Sequence, residues 1–336
     1  MEKWVVAAKR ADFQKIGLKF GVDPVIARLI RNRDLVTEKE IDQYLHGRLS
    51  DLHSWKHFKD IQKLLGILIE KIEQKKKIRI IGDYDIDGVC STYILLKGLT
   101  RAGALADVDI PDRMKDGYGI SEELIDRAFA SQVYTIITCD NGISAVEQIT
   151  HGKALGMTVL VTDHHEVPYE EAEDGSVHTV LPPADAIVNP KQEDCTYPFK
   201  GICGAMVAFK VIWGLYESLG IPTDEMKKLI PFAAIATVGD VMDLTDENRI
   251  IVKEGLLRLQ NPENIGLKAL IRVNNLEDRE LTAYHIGFIL GPCMNASGRL
   301  STAKRALELL LTEDEKEASV LAEDLKMLND SRKDMT

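Results

Sequence analysis

No stretch of this sequence reaches the ~18 apolar residues of a membrane-spanning helix, which excludes a helical span within it. The start, Met1-Glu2-Lys3-Trp4, has only a brief apolar run before Lys9-Arg10 and does not read as a signal peptide. Paired cysteines are lacking as well. The five (Cys90, Cys139, Cys195, Cys203 and Cys293) are odd in number, scattered and without a CxxC pair, which predicts reduced thiols and a cytoplasmic protein. Positive charge is in deficit. With 42 Lys and Arg against 53 Asp and Glu, the net charge of -11 argues against nucleic-acid binding by a broad basic surface, while a local positive groove stays compatible with it. What is present is enough for a core: 336 residues at 45% hydrophobic content predict one large domain or two.

The most informative stretch is Arg79-Ile80-Ile81-Gly82-Asp83-Tyr84-Asp85-Ile86-Asp87-Gly88. Side chains in a strand repeat every second residue, so an extended segment would put Asp83, Asp85 and Asp87 on one side. Three like charges repel, and a hard cation with oxygen ligands, magnesium or manganese, would relieve them. A solvated acidic turn is the other reading of the triplet. Three familiar motifs fail here. DYDIDG opens like a calcium-binding EF-hand loop, but the closing Glu is replaced by Ile94. A phosphate loop would need Lys and Ser or Thr where Val89 and Cys90 stand, and His165-Glu166 has no second His to complete a zinc-protease pair.

In chain order, Asp23-Pro24 and Thr37 with Glu40 are start signals for two short helices in the first ~50 residues. Ile61, Leu64, Leu65, Leu68 and Ile72 then recur at helical spacing, and Lys75-Lys76-Lys77 ends that helix or forms a nucleic-acid patch. The centre alternates. Strands are predicted at Ile78–Ile81, Val108–Ile110, Tyr134–Cys139, Thr158–Val161 and Ala186–Val188, with helices at Val89–Leu99, Ser121–Ala130 and Ser144–Leu155. This pattern predicts an α/β fold, a parallel sheet covered by helices on both faces, with ligands gathered beyond the carboxyl ends of the strands. Near the end, Thr312-Glu313-Asp314-Glu315 has capping-box form before a helix carrying Leu321, Leu325 and Leu328.

The polar residues after the strands agree with one another. Asp83, Asp85 and Asp87 follow the first, Asp140-Asn141-Gly142 another, and Asp163-His164-His165 a third; Asp240 and Asp243 follow an apolar helix from Leu229 to Ala236. Carboxylates and imidazole at one sheet edge have the ligand chemistry of a divalent metal site, in which a shared Asp can bridge two ions ~3.5–4 Å apart. A turn with a capping Asp is the plainer reading of Asp163-His164-His165.

GDYDIDG, CDNGIS, TDHH, NP, ATVGDVMDL and GPCMNASGRL occur in that order. With them the chain resembles the DHH phosphoesterase superfamily and, within it, the RecJ family of single-strand-specific exonucleases, over nearly its whole length. The resemblance implies that Asp85 and Asp87 ligate separate ions, that Asp140 bridges them, and that His164 and Asp240 complete the second ion's shell. The ions would be two manganese or magnesium. His165 would face the substrate phosphate or support the site. Family members often carry His where Ile81 stands, so Asp83 is expected as a ligand or as support for one. Asn295 and Arg299 match the phosphate path, Arg113 would hold the strand's terminal phosphate, and Tyr118 would stack on a base. Cys293 stands where the family often has Arg, and Met206 where Gly is common.

The expected activity is 5'-to-3' hydrolysis of single-stranded DNA to mononucleotides, in DNA repair and recombination, with a single-strand-binding protein and a helicase as family partners. A phosphodiesterase for short oligoribonucleotides or cyclic dinucleotides stays open, as does a catalytically inactive scaffold. The expected division is a helical N-terminal lead (1–56), a DHH catalytic domain (57–311), and a helix (312–336) connecting to a C-terminal domain outside this chain.

Overall fold

A computed structural model describes residues 9–111, 119–171, 175–300 and 304–334, with the side chains of 297–300 excepted. The chain divides into two compact units, Met1–Leu52 with Asp243–Ile250, and His53–Met242 with Ile251–Thr336. The first unit holds helices α1 (Phe13–Phe20), α2 (Pro24–Asn32) and α3 (Glu38–His46). Both expected start signals operate. Asp23 accepts a hydrogen bond from the Val25 amide at 2.7 Å with Pro24 in the first turn, and Thr37 and Glu40 cap each other's backbone reciprocally.

The second unit is built on strands β1 (Lys77–Ile81), β2 (Leu105–Asp109), β3 (Thr135–Cys139), β4 (Thr158–Thr162), β5 (Tyr169–Glu171), β6 (Val177–Thr179) and β7 (Ala186–Val188). Five of them form a parallel sheet in the order β2-β1-β3-β4-β7, while β5 and β6 pair as a separate antiparallel ribbon. Helices α4 (Ile61–Glu73), α5 (Ile86–Arg101), α6 (Glu122–Ala130), α7 (Val146–Ala154), α8 (Gly204–Leu219) and α9 (Ile230–Gly239) flank the sheet. Alternation along the strands feeds both faces. Ile81, Ile136, Val159, Val161 and Ile187 pack with Leu124, Ile125 and Ala128 of α6 and Ile149 of α7. Ile80, Ile137 and Leu160, also fully buried, point to the opposite face. Each such side chain contributes about 1.5–3 kcal/mol by burial. The half-exposed Arg79–Asp107 pair at 2.7 Å between β1 and β2 adds at most about 1 kcal/mol, so packing sets the sheet and charge only trims its edge.

The unit is completed by the part of α10 (Asp246–Leu259) from Ile251 on, α11 (Ile265–Val273), a short turn α12 (Ala283–His285) that widens into a π-helix at Ile286–Leu290, then α13 (Gly291–Leu300), α14 (Lys304–Leu311) and α15 (Glu315–Asp334). Two expectations change. The segment holding Asp83, Asp85 and Asp87 is not extended, because β1 ends at Ile81 and α5 begins at Ile86; a turn brings the three carboxylates together. At α15 the capping role falls to Asp314, whose Oδ1 accepts from the Lys316 and Glu317 amides, since it directly precedes the first helical residue; Thr312 bonds the Glu317 side chain instead. Among the described residues no helix is long and apolar enough to cross a membrane.

Candidate metal centre

The chain crosses from β1 to β2 on one side and to β3 on the other, and the crevice at this reversal lies beyond the carboxyl ends of β1 and β3. Asp83 follows β1 and Asp140 follows β3 there. Asp85 is the N-cap of α5: its Oδ1 accepts from the Asp87 amide at 2.9 Å and the Gly88 amide at 3.0 Å. Its charge complements the positive end of the helix. Gly88 is dictated by space, since a Cβ there would stand 2.4 Å from the Asp83 carbonyl oxygen.

Asp87, in the first turn of α5, reaches across to a second helix. Its Oδ2 accepts from the Gly204 amide at 2.6 Å and its Oδ1 from the Ala205 amide at 2.7 Å. These are the first amides of α8, whose N-cap residue Cys203 offers no side-chain cap, so Asp87 satisfies donors that the helix cannot satisfy itself. Gly204 also leaves room for Asp140. A Cβ at 204 would lie 2.8 Å from both Cβ and Oδ1 of Asp140. Asp140 itself has φ 61, in the left-handed region, which costs a non-glycine residue about 1–2 kcal/mol.

The turn after β4 supplies the imidazoles. Asp163 is buried and saturated, accepting from the Ile143 amide at 2.9 Å, the His164 amide at 2.7 Å, the His165 amide at 3.1 Å and His165 Nδ1 at 2.7 Å. It therefore fixes the backbone of both histidines and the ring of His165. His164 Nε2 lies 3.1 Å from Asp140 Oδ1, 3.5 Å from Asp87 Oδ2 and 3.7 Å from Asp240 Oδ2, with Asp240 closing α9.

Burial and mutual repulsion raise the proton affinity of these acids. Asp83 is pushed up to about 7 by burial and then by the Asp85 charge, and Asp240 to about 7 by burial, then Asp87 and Asp85. Burial lifts Asp140 well above the usual carboxylate range and raises Asp85 as well. His164 is pushed down by burial, whereas the hydrogen bond that His165 donates to Asp163 raises His165. Neither oxygen of Asp83 accepts a hydrogen bond of normal geometry, nor does Asp140 Oδ1. Native proteins rarely leave buried acceptors so, and a cation is what such a donor set fits. Ligand atoms converge within 4.8 Å in three groups: Asp83, Asp85 and Asp140; Asp87, His164 and Asp240; Asp140, His164 and His165. Asp140 and His164 each belong to two of them, so the three groups form one continuous cluster.

The structure thus brings together Asp83, Asp85, Asp87, Asp140, His164, His165 and Asp240. Asn295 stands next to them, its Oδ1 accepting from the Ile86 amide at 2.7 Å, which fixes the start of α5. Arg113 and Tyr118 lie outside the described residues, as does the side chain of Arg299. Cys293 and Met206 are buried. Sequence reasoning missed three contributors. Asp163 was visible only as a capping residue, and the α8 amides carry no side-chain signature. The third is Lys191, which pairs with Glu166 at 2.8 Å and acts on the charges of His164 and Asp240.

The profile of the DHH family, N-terminal domain, matches residues 77–237. The chain is 39% identical over 314 residues to the single-stranded-DNA-specific exonuclease RecJ of Bacillus subtilis and 32% identical over 347 residues to that of Escherichia coli. These alignments take in 94% and 100% of this chain but 38% and 58% of the relatives, so the chain spans well under two thirds of their length. A crystal structure of exonuclease RecJ bound to manganese matches with a TM-score of 0.72 and 34% identity, covering 82% of this chain and 67% of that one. RecJ of Thermus thermophilus in complex with Mn2+ matches with a TM-score of 0.77 and 30% identity over 96% of this chain and 44% of that one.

Proposed function

The chain belongs to the RecJ branch of the DHH family, and from that premise we propose that it hydrolyses single-stranded DNA from the 5' end, releasing mononucleotides, with two divalent cations, manganese or magnesium. The observation that carries this reading is the gathering of Asp83, Asp85 and Asp140 in one ligand group and of Asp87, His164 and Asp240 in another, joined by the 3.1 Å approach of His164 to Asp140, with the buried oxygens of Asp83 left without a hydrogen bond of normal geometry. Asp83 and Asp85 would hold one ion with Asp140, and Asp87, His164 and Asp240 the other. Bound cations would lower the pKa of water and offset the charge of the phosphate.

The remaining work falls to the chain's own groups. Asp163 lies 2.7 Å from Nδ1 of His165, and that hydrogen bond together with its charge raises the proton affinity of the ring, which would favour interaction with phosphate charge. His164, pushed toward the neutral form by burial, keeps its Nε2 lone pair for the ion. Asp85 and Asp87 are locked by backbone amides, so they need no reorganisation when substrate arrives. We assign catalysis to residues 57–311 and, by the same family argument, a single-strand-binding protein and a helicase as partners. Five unpaired, buried cysteines support a cytoplasmic setting.

The test is release of label from a 5'-labelled single strand in manganese, with Asp140→Ala as control. The control should keep the fold, bind less metal and release nothing; ordinary activity in it would remove the two-ion reading. A substrate-length series separates the polymer from short oligoribonucleotides.

A further inference from the structure

The metal centre does not account for an exposed aromatic pair on the segment running from α12 to α13. Tyr284 and Phe288 are 62% and 67% exposed, four residues apart, and stack with ring centroids 4.9 Å apart at 27°. They sit where α12 widens into the π-helix, a distortion frequent at functional sites. The same turn is anchored from beneath by the buried Ile286 and Leu290. Gly287 abuts Val238, and Gly291 abuts Ile86, with ideal Cβ positions 3.6 Å and 3.3 Å from those side chains. Val238 precedes Asp240 by two residues and Ile86 follows Asp85 directly, so the ring-bearing segment packs on the end of α9 and the start of α5, the helix ends that carry those two carboxylates.

The charge balance says what such a pair would hold. A centre rich in carboxylates, in a chain of net charge -11, gives a phosphate backbone little attraction away from the cations. The rest of the grip must come from the uncharged part of the ligand, and an aromatic face stacks on any base without reading sequence. We propose that Tyr284 and Phe288 form a base-stacking platform over which a single strand passes to the metal centre. This rests on the nuclease reading above.

The experiment compares KM and kcat for a 20-nucleotide strand and for a dinucleotide in manganese, with Tyr284→Ala, Phe288→Ala and the double variant. The exposure of both rings leaves the fold intact on truncation, which circular dichroism checks. Each ring lost should raise KM for the 20-mer by about tenfold, while KM for the dinucleotide, which offers fewer bases to stack, should change less. Phe288→Tyr should retain a low KM and Phe288→Leu should not, since bulk alone does not stack. A strand with abasic sites should bind the unchanged protein more weakly and the double variant no differently. An unchanged KM in the double variant, with strand hydrolysis intact, overturns the platform alone and assigns the rings to a protein surface. Absence of strand hydrolysis in the unchanged protein overturns both readings together.

Discussion

Placing one methyl group at Gly204 tests whether the spacing of the centre, rather than its inventory of acids, sets activity. The new Cβ would stand 2.8 Å from Asp140 Cβ and Oδ1, against about 3.4 Å for ordinary contact, so Asp140 or the start of α8 must move by about 0.6 Å. Overpacking of this kind costs about 1–3 kcal/mol, and Ala regains up to about 1 kcal/mol over Gly in a helix. The net loss is about 0–2 kcal/mol, a few degrees in Tm. Catalysis should suffer more, because a misplacement approaching 1 Å costs about 10²-fold. Gly204→Ala is therefore expected to lower manganese-dependent release from a labelled single strand by tenfold or more. Gly214→Ala is the companion. In the same helix as Gly204 but away from the carboxylates, its new Cβ would crowd Leu65 at 2.7 Å and Trp55 at 3.0 Å, and it should lower Tm comparably while sparing activity. Full activity in Gly204→Ala, or equal loss in Gly214→Ala, would refute the argument.

Manganese at a hundredfold excess over its Kd should stabilise the protein by about 2.7 kcal/mol, several degrees of Tm in a thermal scan, and Asp140→Ala should not respond. Asp83→Asn should act with opposite signs: Tm of the metal-free protein rises because a carboxylate disfavoured by burial and by the Asp85 charge is removed, while calorimetric stoichiometry for manganese falls from two to one. A stoichiometry still at two would remove Asp83 from the ligand set. The Asp163–His165 pair predicts a pH window in metal-free protein. Asp163 is lowered on balance: burial pushes it up, but the His165 hydrogen bond and charge outweigh that, so its contribution is present above its unfolded value near 4 and lost as pH falls through its lower folded value. His165 is raised, so its contribution is complete below about 6.5 and is lost as pH rises through its higher folded value. Tm of the unchanged protein minus that of Asp163→Asn, followed against pH, should be largest between about 4 and 6.5; a flat difference would show that the pair does not stabilise the fold.

The sheet was legible in the sequence because most of its strands are short apolar runs, and Ala186–Val188 falls where expected; β2, expected at Val108–Ile110, runs instead over Leu105–Asp109, where Asp107 and Asp109 break the apolar run. The acids after the strands were legible for the same reason, since a parallel sheet sends its strand ends to one edge. The turn at Asp83 was not. Alternation of Asp with other residues mimics a strand, and only the helix beginning at Ile86 shows that Asp85 and Asp87 are held by amides. The support from α8 left no trace at all, because a backbone N–H looks alike at every position. The Tyr284–Phe288 stack was equally hidden: spacing gives the pairing of two rings on a helix but not which side of it faces water.

Asp87 ties the opening of a sixteen-residue helix to the chemistry of the crevice. An ancestral protein losing its activity could shed Asp83 or Asp240 cheaply, and shedding Asp83 would even relieve repulsion. Shedding Asp87 would strip α8 of its first two hydrogen-bond acceptors and loosen the scaffold itself. Inactive descendants of this fold are therefore expected to keep this aspartate longest, as a relic of catalysis preserved by architecture.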